Sequence, residues 1–341
     1  MDTFESTGDH LIADRIVKKR GASLTATPPF PRALNVELNN VCNHKCSFCA
    51  YPLMERDAGN ISRERLEFWL RDAYRLGTRE LGLHSGAEPF ASKQLEHFVG
   101  FAKQIGYEYV YISTNGSLAT PARMRKVIDA GIDSIKFSIN AGDRETYKQV
   151  HGRDDFERVM EHLRFARSYR GDRQKPYLAI SFVVTKLSAP TVEPLRALTA
   201  DLVDEFITLQ EQNLSGQLPS EGERAWKKEQ VCAIPFNKLH ISWEGFLRVC
   251  CNDYENLLAL HDLNQVSLEE AFYSAEFRAF RERHLNDKLE GSLCFNCKYD
   301  CKSPVQPLSR ELYFRTHHTD AGPSITHTAT IQPPASTKAG R

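Results

Sequence analysis

Three cysteines fall within eight residues in the stretch Val41-Cys42-Asn43-His44-Lys45-Cys46-Ser47-Phe48-Cys49-Ala50. The preceding residues, 34–39, alternate between apolar and polar side chains, which predicts a short strand that runs into the cysteines. Thiolates this close in sequence can converge on one metal centre. They cannot all pair with one another as disulfides, because at least one thiol would be left over.

The spacing of the three cysteines, Cys-x3-Cys-x2-Cys, favours an iron–sulfur cluster. Zinc usually takes four protein ligands, and no paired ligands of the common zinc signatures lie nearby. A cluster held by Cys42, Cys46 and Cys49 alone would keep one iron open for a small molecule. The alternative is that His44 supplies a fourth ligand and closes a zinc site.

The composition limits the class of protein and its partners. The chain has 341 residues, 41% of them hydrophobic, with 44 basic and 44 acidic side chains. This balance gives no electrostatic reason to expect nucleic acid or a membrane as a partner. No apolar run approaches the ~20 residues of a membrane span, and no signal peptide is recognisable. Nine cysteines without an export signal favour metal ligation in a reducing cytoplasm, so we expect a soluble cytoplasmic protein.

Changes in composition along the chain predict five segments. Residues 1–33 are expected to be a flexible arm, and 34–213 a first domain. A polar linker at 214–231 leads to a cysteine-rich domain at 232–302. The segment 303–341 is rich in Pro, Thr, Ser and Gly, which predicts a largely disordered tail.

The first domain alternates strand-like runs with helical patterns. The predicted strands are 34–39, 80–85, 109–114, 134–139, 178–184 and 205–210. The predicted helices are 62–76, 92–105, 121–130, 155–169 and 189–203. Six strands, each followed by a crossover, imply an α/β fold with a parallel sheet that can curl into a barrel. Ligands of such folds gather at the carboxyl edge of the strands.

That edge is predicted to be polar. Small or polar residues follow five of the six strands, beginning with the three-cysteine loop. The others are His84-Ser85-Gly86-Ala87-Glu88-Pro89, Ser113-Thr114-Asn115-Gly116, Ser138-Ile139-Asn140 and Gln210-Glu211-Gln212-Asn213. A single polar strand end carries little information, since turns favour Asn and Gly. Five on one rim predict a functional site.

These motifs resemble, in order, those of the radical S-adenosylmethionine (SAM) superfamily. The family's cluster loop is Cys-x3-Cys-x2-Cys with an aromatic residue before the last cysteine, matched here by Phe48. Its second strand ends in Gly-Gly-Glu-Pro, against which Ala87 is a departure, and its third strand ends in Thr-Asn-Gly. The resemblance spans about residues 35–213.

The resemblance implies a partial (βα)6 TIM-like barrel, a 4Fe–4S cluster on Cys42, Cys46 and Cys49, and SAM at the open iron. One electron, from an external flavodoxin or ferredoxin, would cleave SAM to a 5′-deoxyadenosyl radical that abstracts hydrogen from a substrate. The residues that the family's motifs assign to SAM binding are Phe48, Gly86, Ala87, Glu88, Ser113, Asn115, Ser138 and Asn140.

A second set of cysteines lies in the last third of the chain: Cys232, Cys250, Cys251, Cys294, Cys297 and Cys301. The run 239–250 reads as a hairpin with its turn at Glu244-Gly245, which brings Cys250 back towards Cys232. A helix is predicted from Ser267 to about His284.

The spacing of this set resembles the extension of radical SAM enzymes called SPASM in its long form and twitch in its short form. The resemblance implies one auxiliary 4Fe–4S cluster on Cys232, Cys250, Cys294 and Cys297, because the further cysteines of the long form are missing. Cys301 is an alternative fourth ligand, whereas Cys251 is expected to be a packed free thiol. A zinc site on the same four cysteines remains the structural alternative.

A fully ligated auxiliary cluster favours electron transfer, and therefore oxidation of a small polar substrate. The ligand spacing is similar to that of the aminocyclitol dehydrogenases. A ribosomal-peptide maturase is a second hypothesis, although the 33 residues before the first strand are fewer than the ~80 of a leader-binding module. An epimerase would need a hydrogen donor, for which Cys251 and Cys301 are the spare thiols. A zinc-binding structural or interaction protein is the hypothesis from another class.

The residues predicted to face the substrate are Gln210, Gln212 and Asn213 at the sixth strand end, with His84 as a further candidate. Polar side chains at this rim can bind hydroxyl groups. A lone histidine at a strand end is more often structural.

Replacing Cys42, Cys46 and Cys49 with Ala should abolish SAM cleavage, because the open iron would lose its ligands. The measurement is 5′-deoxyadenosine formed by anaerobically reconstituted protein with dithionite. Wild-type protein should bind about eight irons per chain if it holds two clusters and about four if it holds one. Turnover retained in the triple variant would contradict the assignment.

Overall fold

The computed structural model describes residues 4–8, 11–12, 23–218 and 230–317. Within these ranges the strands form one sheet in the order β1-β7-β6-β5-β4-β3-β2-β8-β9-β10. The strands are β1 Phe4–Gly8, β2 Ala33–Val36, β3 Glu80–Gly82, β4 Tyr109–Thr114, β5 Ser134–Ser138, β6 Tyr177–Val184, β7 Glu205–Gln210, β8 Lys238–Ile241, β9 Phe246–Arg248 and β10 Ala259–Asp262.

The helices of the first domain follow the strands as crossovers. They are α1 Arg63–Arg75, α2 Leu95–Ile105, α3 Pro121–Asp129, α4 Arg144–His151, α5 Phe156–Arg170 and α6 Val192–Leu198. The helices of the last third are α7 Ile234–Asn237, α8 Leu268–Phe272, α9 Ala275–Leu285, α10 Leu293–Tyr299 and α11 Arg310–Phe314.

Strands β2 to β7 pair in parallel, each with the next, which confirms the α/β fold with a partial barrel. Side chains alternate between the two faces of a strand. In β4, Val110, Ile112 and Thr114 are buried against the helices, whereas Tyr111 and Ser113 are half-buried on the opposite face. The outer face is therefore apolar and buried, and the inner face is polar.

The arm expected at residues 1–33 contributes strand β1, which pairs antiparallel with β7 in a register from Phe4 opposite Leu209 to Gly8 opposite Glu205. β7 would otherwise end the sheet with unpaired backbone groups, and pairing satisfies them. The expectation of a flexible arm therefore does not hold for these residues.

The cysteine-rich region continues the sheet of the barrel. β8 pairs in parallel with β2, Ala33 opposite Lys238 to Val36 opposite Ile241, and β9 turns back antiparallel to β8. The hairpin predicted from the sequence is present, but its union with β2 was not predicted. A pairing partner more than 200 residues away leaves no local pattern.

Two helices differ from the sequence prediction. α4 was not predicted; Asp143 caps it, accepting a hydrogen bond of 2.8 Å from Thr146 N, and it ends at Gly152. The helix predicted from Ser267 to His284 is divided into α8 and α9, because Ser274 caps a new helix by accepting from Phe277 N at 3.1 Å.

Part of the predicted tail is ordered. α11 packs on the hairpin region, and His317 is buried with its Nε2 2.8 Å from Glu255 Oε2. His317, expected in a solvated tail, therefore makes a structural contact. Residues 318–341 and most of the predicted linker, 219–229, lie outside the described residues. Among the helices that are described, none is long and apolar enough to cross a membrane.

A buried ion cluster joins the hairpin to the barrel. Arg56 Nη2 lies 2.9 Å from Glu37 Oε1, and its Nη1 lies 2.7 Å from Glu244 Oε1. Arg248, on β9, approaches the same Glu37 oxygen at 3.4 Å. Burial alone would raise the pKa of Glu37, but Arg248 and Arg56 lower it below its ordinary value of 4.5. Glu37 is therefore charged near neutral pH, and its charge is balanced by groups from both parts of the chain.

Replacing Arg56 with Met should lower the free energy of unfolding by about 3–5 kcal/mol at pH 7, because Glu37 would stay buried with its compensation reduced. The measurement is urea denaturation. Arg32→Met is the control, because the Arg32–Glu108 pair is 63% and 60% exposed and should contribute less than about 1 kcal/mol. Equal losses in the two variants would contradict this account.

The Arg56–Glu37 pair also predicts that the stability of the protein depends on pH. Since the pKa of Glu37 is lowered on folding, its contribution to stability is present above about pH 4.5 and is lost as the pH falls through the lowered pKa. The stability difference between wild type and Arg56→Met should therefore shrink in acid. A difference that stays constant down to pH 3 would show that Glu37 is not its source.

Candidate active site

The three-cysteine loop lies at the carboxyl edge of β2 and is held against the end of α4 by backbone hydrogen bonds. Lys45 N donates to His151 O at 3.1 Å, and Ser47 N donates to Val150 O at 2.9 Å. The next residue, Gly152, has a φ of +67°, and a Cβ there would come within 2.9 Å of Lys45 O. Only glycine accommodates both the conformation and this close approach.

Each cysteine of the loop has a different side-chain neighbour able to donate a hydrogen bond. Asn115 Nδ2 lies 3.8 Å from Cys42 Sγ. His151 Nδ1 lies 3.3 Å from Cys46 Sγ, and the Tyr254 hydroxyl lies 3.5 Å from Cys49 Sγ. The three neighbours come from the end of β4, from α4 and from the loop after β9. The cysteine loop is therefore enclosed by three separate parts of the fold.

The carboxylate of Glu88 is buried and accepts three hydrogen bonds within the protein. It accepts from Phe90 N at 3.0 Å, from the Thr114 hydroxyl at 2.6 Å and from Asn115 N at 2.8 Å. Burial raises the pKa of Glu88, although these hydrogen bonds oppose the shift. Glu88 thus joins the loop after β3 to the end of β4.

Asn140 joins the rim at the end of β5. Its Oδ1 accepts from Val183 N at 2.6 Å, and its Nδ2 donates to Ser138 Oγ at 3.1 Å. Ser138 and Ser113 are both half-buried on the inner face. Phe48 places its ring 6.0 Å from that of His151, edge to face. Hydrogen bonds and ring contacts therefore connect the predicted rim residues after β2, β3, β4 and β5 at one edge of the sheet.

The second cysteine set also converges. Burial raises the pKa of Cys294 well above its ordinary value, and Cys232 and Cys297 raise it further. The pKa of Cys250 is raised first by its hydrogen bond with Cys251, and Cys232 contributes as well. Cys294 and Cys297 both lie on helix α10. Each of the four predicted auxiliary ligands is thus within electrostatic range of at least one other member of the set.

Models of two protein families match the chain. One, the radical SAM superfamily, covers residues 36–185. The other, SPASM, an iron–sulfur cluster-binding domain, covers residues 232–298. The two matches contain the first cysteine loop and the second cysteine set.

The chain belongs to the radical SAM superfamily. Its cofactors are accordingly SAM, a 4Fe–4S cluster and an auxiliary iron–sulfur cluster. Both predicted motif sets are confirmed at the level of the family.

Two curated relatives each match less than half of the chain. A probable GTP 3′,8-cyclase of Saccharolobus solfataricus is 35% identical over 133 residues, 39% of this chain and 42% of the relative. A probable GTP 3′,8-cyclase of Sulfurisphaera tokodaii is 28% identical, over 45% of this chain and 47% of the relative. The chain therefore matches less than half the length of these relatives.

Solved structures share the fold over most of the chain. Streptococcus suis SuiB bound to its precursor peptide SuiA has a TM-score of 0.64 at 14% identity, over 84% of this chain and 72% of SuiB. BtrN in complex with AdoMet and 2-DOIA has a TM-score of 0.57 at 17% identity, over 82% of this chain and 96% of BtrN. At such identities the likeness concerns the fold.

The donors of the first loop fit the cluster of a radical SAM enzyme. Burial raises the pKa of the Cys42 thiol to about 12, and it raises that of Cys46, to which Cys49 and Cys42 add. Three thiolates so close need a compensating positive charge, which iron would supply. Cys42, Cys46 and Cys49 are the residues that would hold it.

The zinc alternative fits less well at either cysteine set. Tetrahedral Zn–S bonds of about 2.3 Å put ligand sulfurs ~3.8 Å apart. Among the described residues, the group of three ligand atoms within 4.8 Å of one another consists of His44, Cys46 and His151. Within the described part of the chain, neither cysteine set has three sulfur atoms within 4.8 Å of one another, which is wider than tetrahedral zinc requires.

His44, the alternative fourth ligand, makes a structural contact. Its Nε2 lies 3.1 Å from Asp155 Oδ2, at the start of α5, and both side chains are buried. Burial lowers the pKa of His44, against the opposing effect of Asp155. The histidine thus anchors the cysteine loop to the helix.

The two spare cysteines differ in their surroundings. Cys301 donates a hydrogen bond to Asn296 Oδ1 at 3.5 Å. Burial raises the pKa of Cys301, a hydrogen bond with Ser303 opposes the shift, and Asp300 adds to it. The pKa of Cys251 is lowered to about 6, first by its hydrogen bond with Cys250 and, against burial, by Lys238 and Arg248. Cys251 thus lies near basic side chains of β8 and β9, whereas Cys301 lies beside the side-chain amide of Asn296.

The residues predicted to face the substrate differ in their exposure and contacts. Gln210 and Gln212 are exposed, and Asn213 shapes its own turn by accepting from Ser215 N at 3.0 Å. His84 is half-buried with its ring 5.4 Å from that of Tyr111. These positions remain predictions for substrate contact.

Sequence reasoning missed the inner-face residues Tyr111, Lys136 and Lys238 and the loop neighbours His151 and Tyr254. The first two could have been found from alternation, since every second residue of β4 and β5 is polar. His151 and Tyr254 reach the site through tertiary packing, and no local pattern marks them.

Replacing Cys232 or Cys294 with Ala should remove about four irons per chain, whereas Cys301→Ala should remove none. The reason is that Cys232 and Cys294 belong to the converging set, while Cys301 is bound to Asn296. Iron content and visible absorbance of anaerobically reconstituted protein provide the measurement. An equal loss of iron in Cys301→Ala would make Cys301 a ligand and contradict the assignment.

Proposed function

We propose that this radical SAM enzyme is an oxidoreductase that removes hydrogen from a small polar substrate of the sugar or aminocyclitol type. The auxiliary 4Fe–4S cluster would accept an electron in the reaction. The observation that carries the proposal is the polar inner face of the barrel.

Strand register defines this inner face, because in-register neighbours lie on the same side of a sheet. Tyr111 is opposite Ser134, Ser113 is opposite Lys136, and Ser138 is opposite Ser181. In a barrel filled as a packed core, such positions hold branched apolar side chains. Hydroxyl, amide and ammonium groups here favour a substrate rich in hydroxyl groups.

Two lysine side chains, Lys136 and Lys238, lie on the inner face of the barrel. Lys238 Nζ donates to the Tyr111 hydroxyl at 3.1 Å, which donates to Asn35 Oδ1 at 3.1 Å. Lys136 is half-buried and makes no hydrogen bond or ion pair within the described residues. Burial lowers the pKa of Lys136, as does Lys238, while Tyr111 and Glu205 oppose the shift. Lys136 Nζ is therefore the group that would accept the hydroxyl proton of an alcohol being oxidised.

Tyr254 contacts the first cysteine set and lies close in sequence to the second. Its hydroxyl lies 3.5 Å from Cys49 Sγ, and its backbone follows Cys250 and Cys251 by four and three residues. An auxiliary cluster on Cys232, Cys250, Cys294 and Cys297 would thus lie close to the SAM-binding cluster. Such proximity supports transfer of one electron from a substrate radical.

When bound, SAM and its cluster supply a 5′-deoxyadenosyl radical that abstracts hydrogen. Glu88 Oε2 accepts one hydrogen bond, from Asn115 N, and we propose that the Glu88 carboxylate and the backbone of Gly86 and Ala87 hold the SAM amino group. The other predicted SAM contacts are Phe48, Ser113, Asn115, Ser138 and Asn140. An external flavodoxin or ferredoxin would supply the first electron. None of the nine cysteines forms a disulfide within the described residues, which agrees with a cytoplasmic location.

Two alternatives rest on specific observations. The likeness to SuiB keeps peptide modification as a second candidate, although it concerns the fold alone. Cys251, a spare thiol near Lys238, keeps epimerisation as another; it would donate hydrogen only in its protonated form, which its lowered pKa disfavours at neutral pH. Replacing Cys251 with Ala separates epimerisation from oxidation, since only epimerisation needs the thiol.

The experiment is anaerobic turnover of the reconstituted enzyme with dithionite, SAM and a panel of amino sugars, aminocyclitols, GTP and linear peptides. A cyclitol or sugar should raise 5′-deoxyadenosine formation and yield an equal amount of ketone. Substrate carrying deuterium at the oxidised carbon should transfer it to 5′-deoxyadenosine. Stimulation by GTP or a peptide alone would overturn the proposed substrate class.

Lys136→Met should reduce ketone formation by about 10²–10⁴-fold, because the proton acceptor is lost. Lys148→Met, at an exposed position on α4, is the matched control and should match wild type. If Lys136→Met retained full ketone formation, Lys136 would not be the base.

A further inference from the structure

His151 is buried at the last position of α4, with its ring against the cysteine loop. Tyr147, one turn earlier, stacks on it at 4.0 Å with an interplanar angle of 17°. The rings of His44 and Phe48 contact it edge to face, at 5.3 and 6.0 Å. Aromatic rings on several sides leave the imidazole one orientation.

Hydrogen bonds fix which ring nitrogen of His151 carries the proton. The backbone N–H of Asn140 can only donate, and it lies 3.3 Å from Nε2; the Asn140 side-chain amide lies 3.2 Å from the same atom. Nε2 must therefore present a lone pair. The proton is on Nδ1, which lies 3.3 Å from Cys46 Sγ. A neutral imidazole thus directs its N–H at the central cysteine of the loop.

We propose that His151 sets the reduction potential of the SAM-binding cluster by donating the Nδ1 hydrogen to Cys46. His151 is a positioning residue in this role, since it acts through the ligand and does not itself bind iron. The proposal rests on membership of the radical SAM superfamily but not on the identity of the substrate.

The effect follows from charge. Reduction adds one electron to a cluster whose sulfur atoms already carry negative charge. A donor aimed at a ligand sulfur stabilises the reduced state more than the oxidised state, and hydrogen bonds to sulfur are among the features that set cluster potentials. Because backbone and aromatic contacts hold the imidazole, little reorganisation accompanies reduction. His151 should therefore make the cluster easier to reduce.

The test compares holoenzymes of wild type, His151→Phe and Tyr147→Phe by redox titration monitored by electron paramagnetic resonance, without SAM. His151→Phe keeps an aromatic ring and removes the N–H. The equilibrium constant for reduction should fall by about tenfold, which corresponds to a midpoint lower by about 59 mV for one electron. Tyr147→Phe removes a buried hydroxyl that makes no hydrogen bond in the described structure, and its midpoint should match wild type.

A second measurement uses unaltered protein, in case His151→Phe does not assemble the cluster. Wild-type enzyme labelled with ¹⁵N at histidine Nδ1 should show a weak ¹⁵N hyperfine coupling to the reduced cluster. An unchanged midpoint in an assembled His151→Phe variant would overturn the proposal, as would absence of the coupling in wild type. A large coupling, typical of a direct iron–nitrogen bond, would overturn it too, because His151 would then be a ligand. Failure of substrate oxidation alone would leave these spectra unchanged.

Discussion

The buried contact of Arg56 with Glu37 is the constraint on which the rest of the site depends. Arg56 follows the cysteine loop, Glu37 follows β2, and the same guanidinium donates to Glu244 at the hairpin turn and to the backbone oxygen of Tyr254. A buried charge must be compensated where it lies. The position of the hairpin relative to the cysteine loop is therefore fixed by charge balance as well as by packing.

From this constraint follows the proximity of the two cysteine sets. Arg248 binds Asp253 O at 2.7 Å and approaches Ser85 Oγ at 3.4 Å, so the loop after β9 is held over the loop after β3. A Cβ on Gly86 would lie 3.2 Å from the Tyr254 ring, and Gly86 has a φ of +62°. Glycine is required here for both reasons, whereas the change to alanine falls at the next residue, where the backbone φ is not positive.

The sequence predicted those features that depend on local chemistry. The six parallel strands follow from alternation and caps, and the two cysteine sets follow from spacing. The residues after β2, β3, β4 and β5 lie beside one another, whereas Gln210 and Gln212 after β7 are exposed. The carboxylate of Glu88 and the amide of Asn140 hydrogen-bond to other residues of the protein. The contribution of β1, the union of β8 with β2 and the approach of His151 depend on contacts between distant segments. Such contacts leave no periodic pattern in the sequence, so only the three-dimensional structure reveals them.

The parallel pairing of β8 with β2 has a consequence for how the chain can be divided. In a separable domain few contacts cross the boundary, but here a shared strand ladder crosses it. A fragment that ended before residue 232 would leave the β2 edge bare, with a row of unpaired amide and carbonyl groups next to the cysteine loop. Such an edge is a template for pairing with another chain. By pairing with β2, strand β8 thus covers an edge through which barrels could otherwise associate.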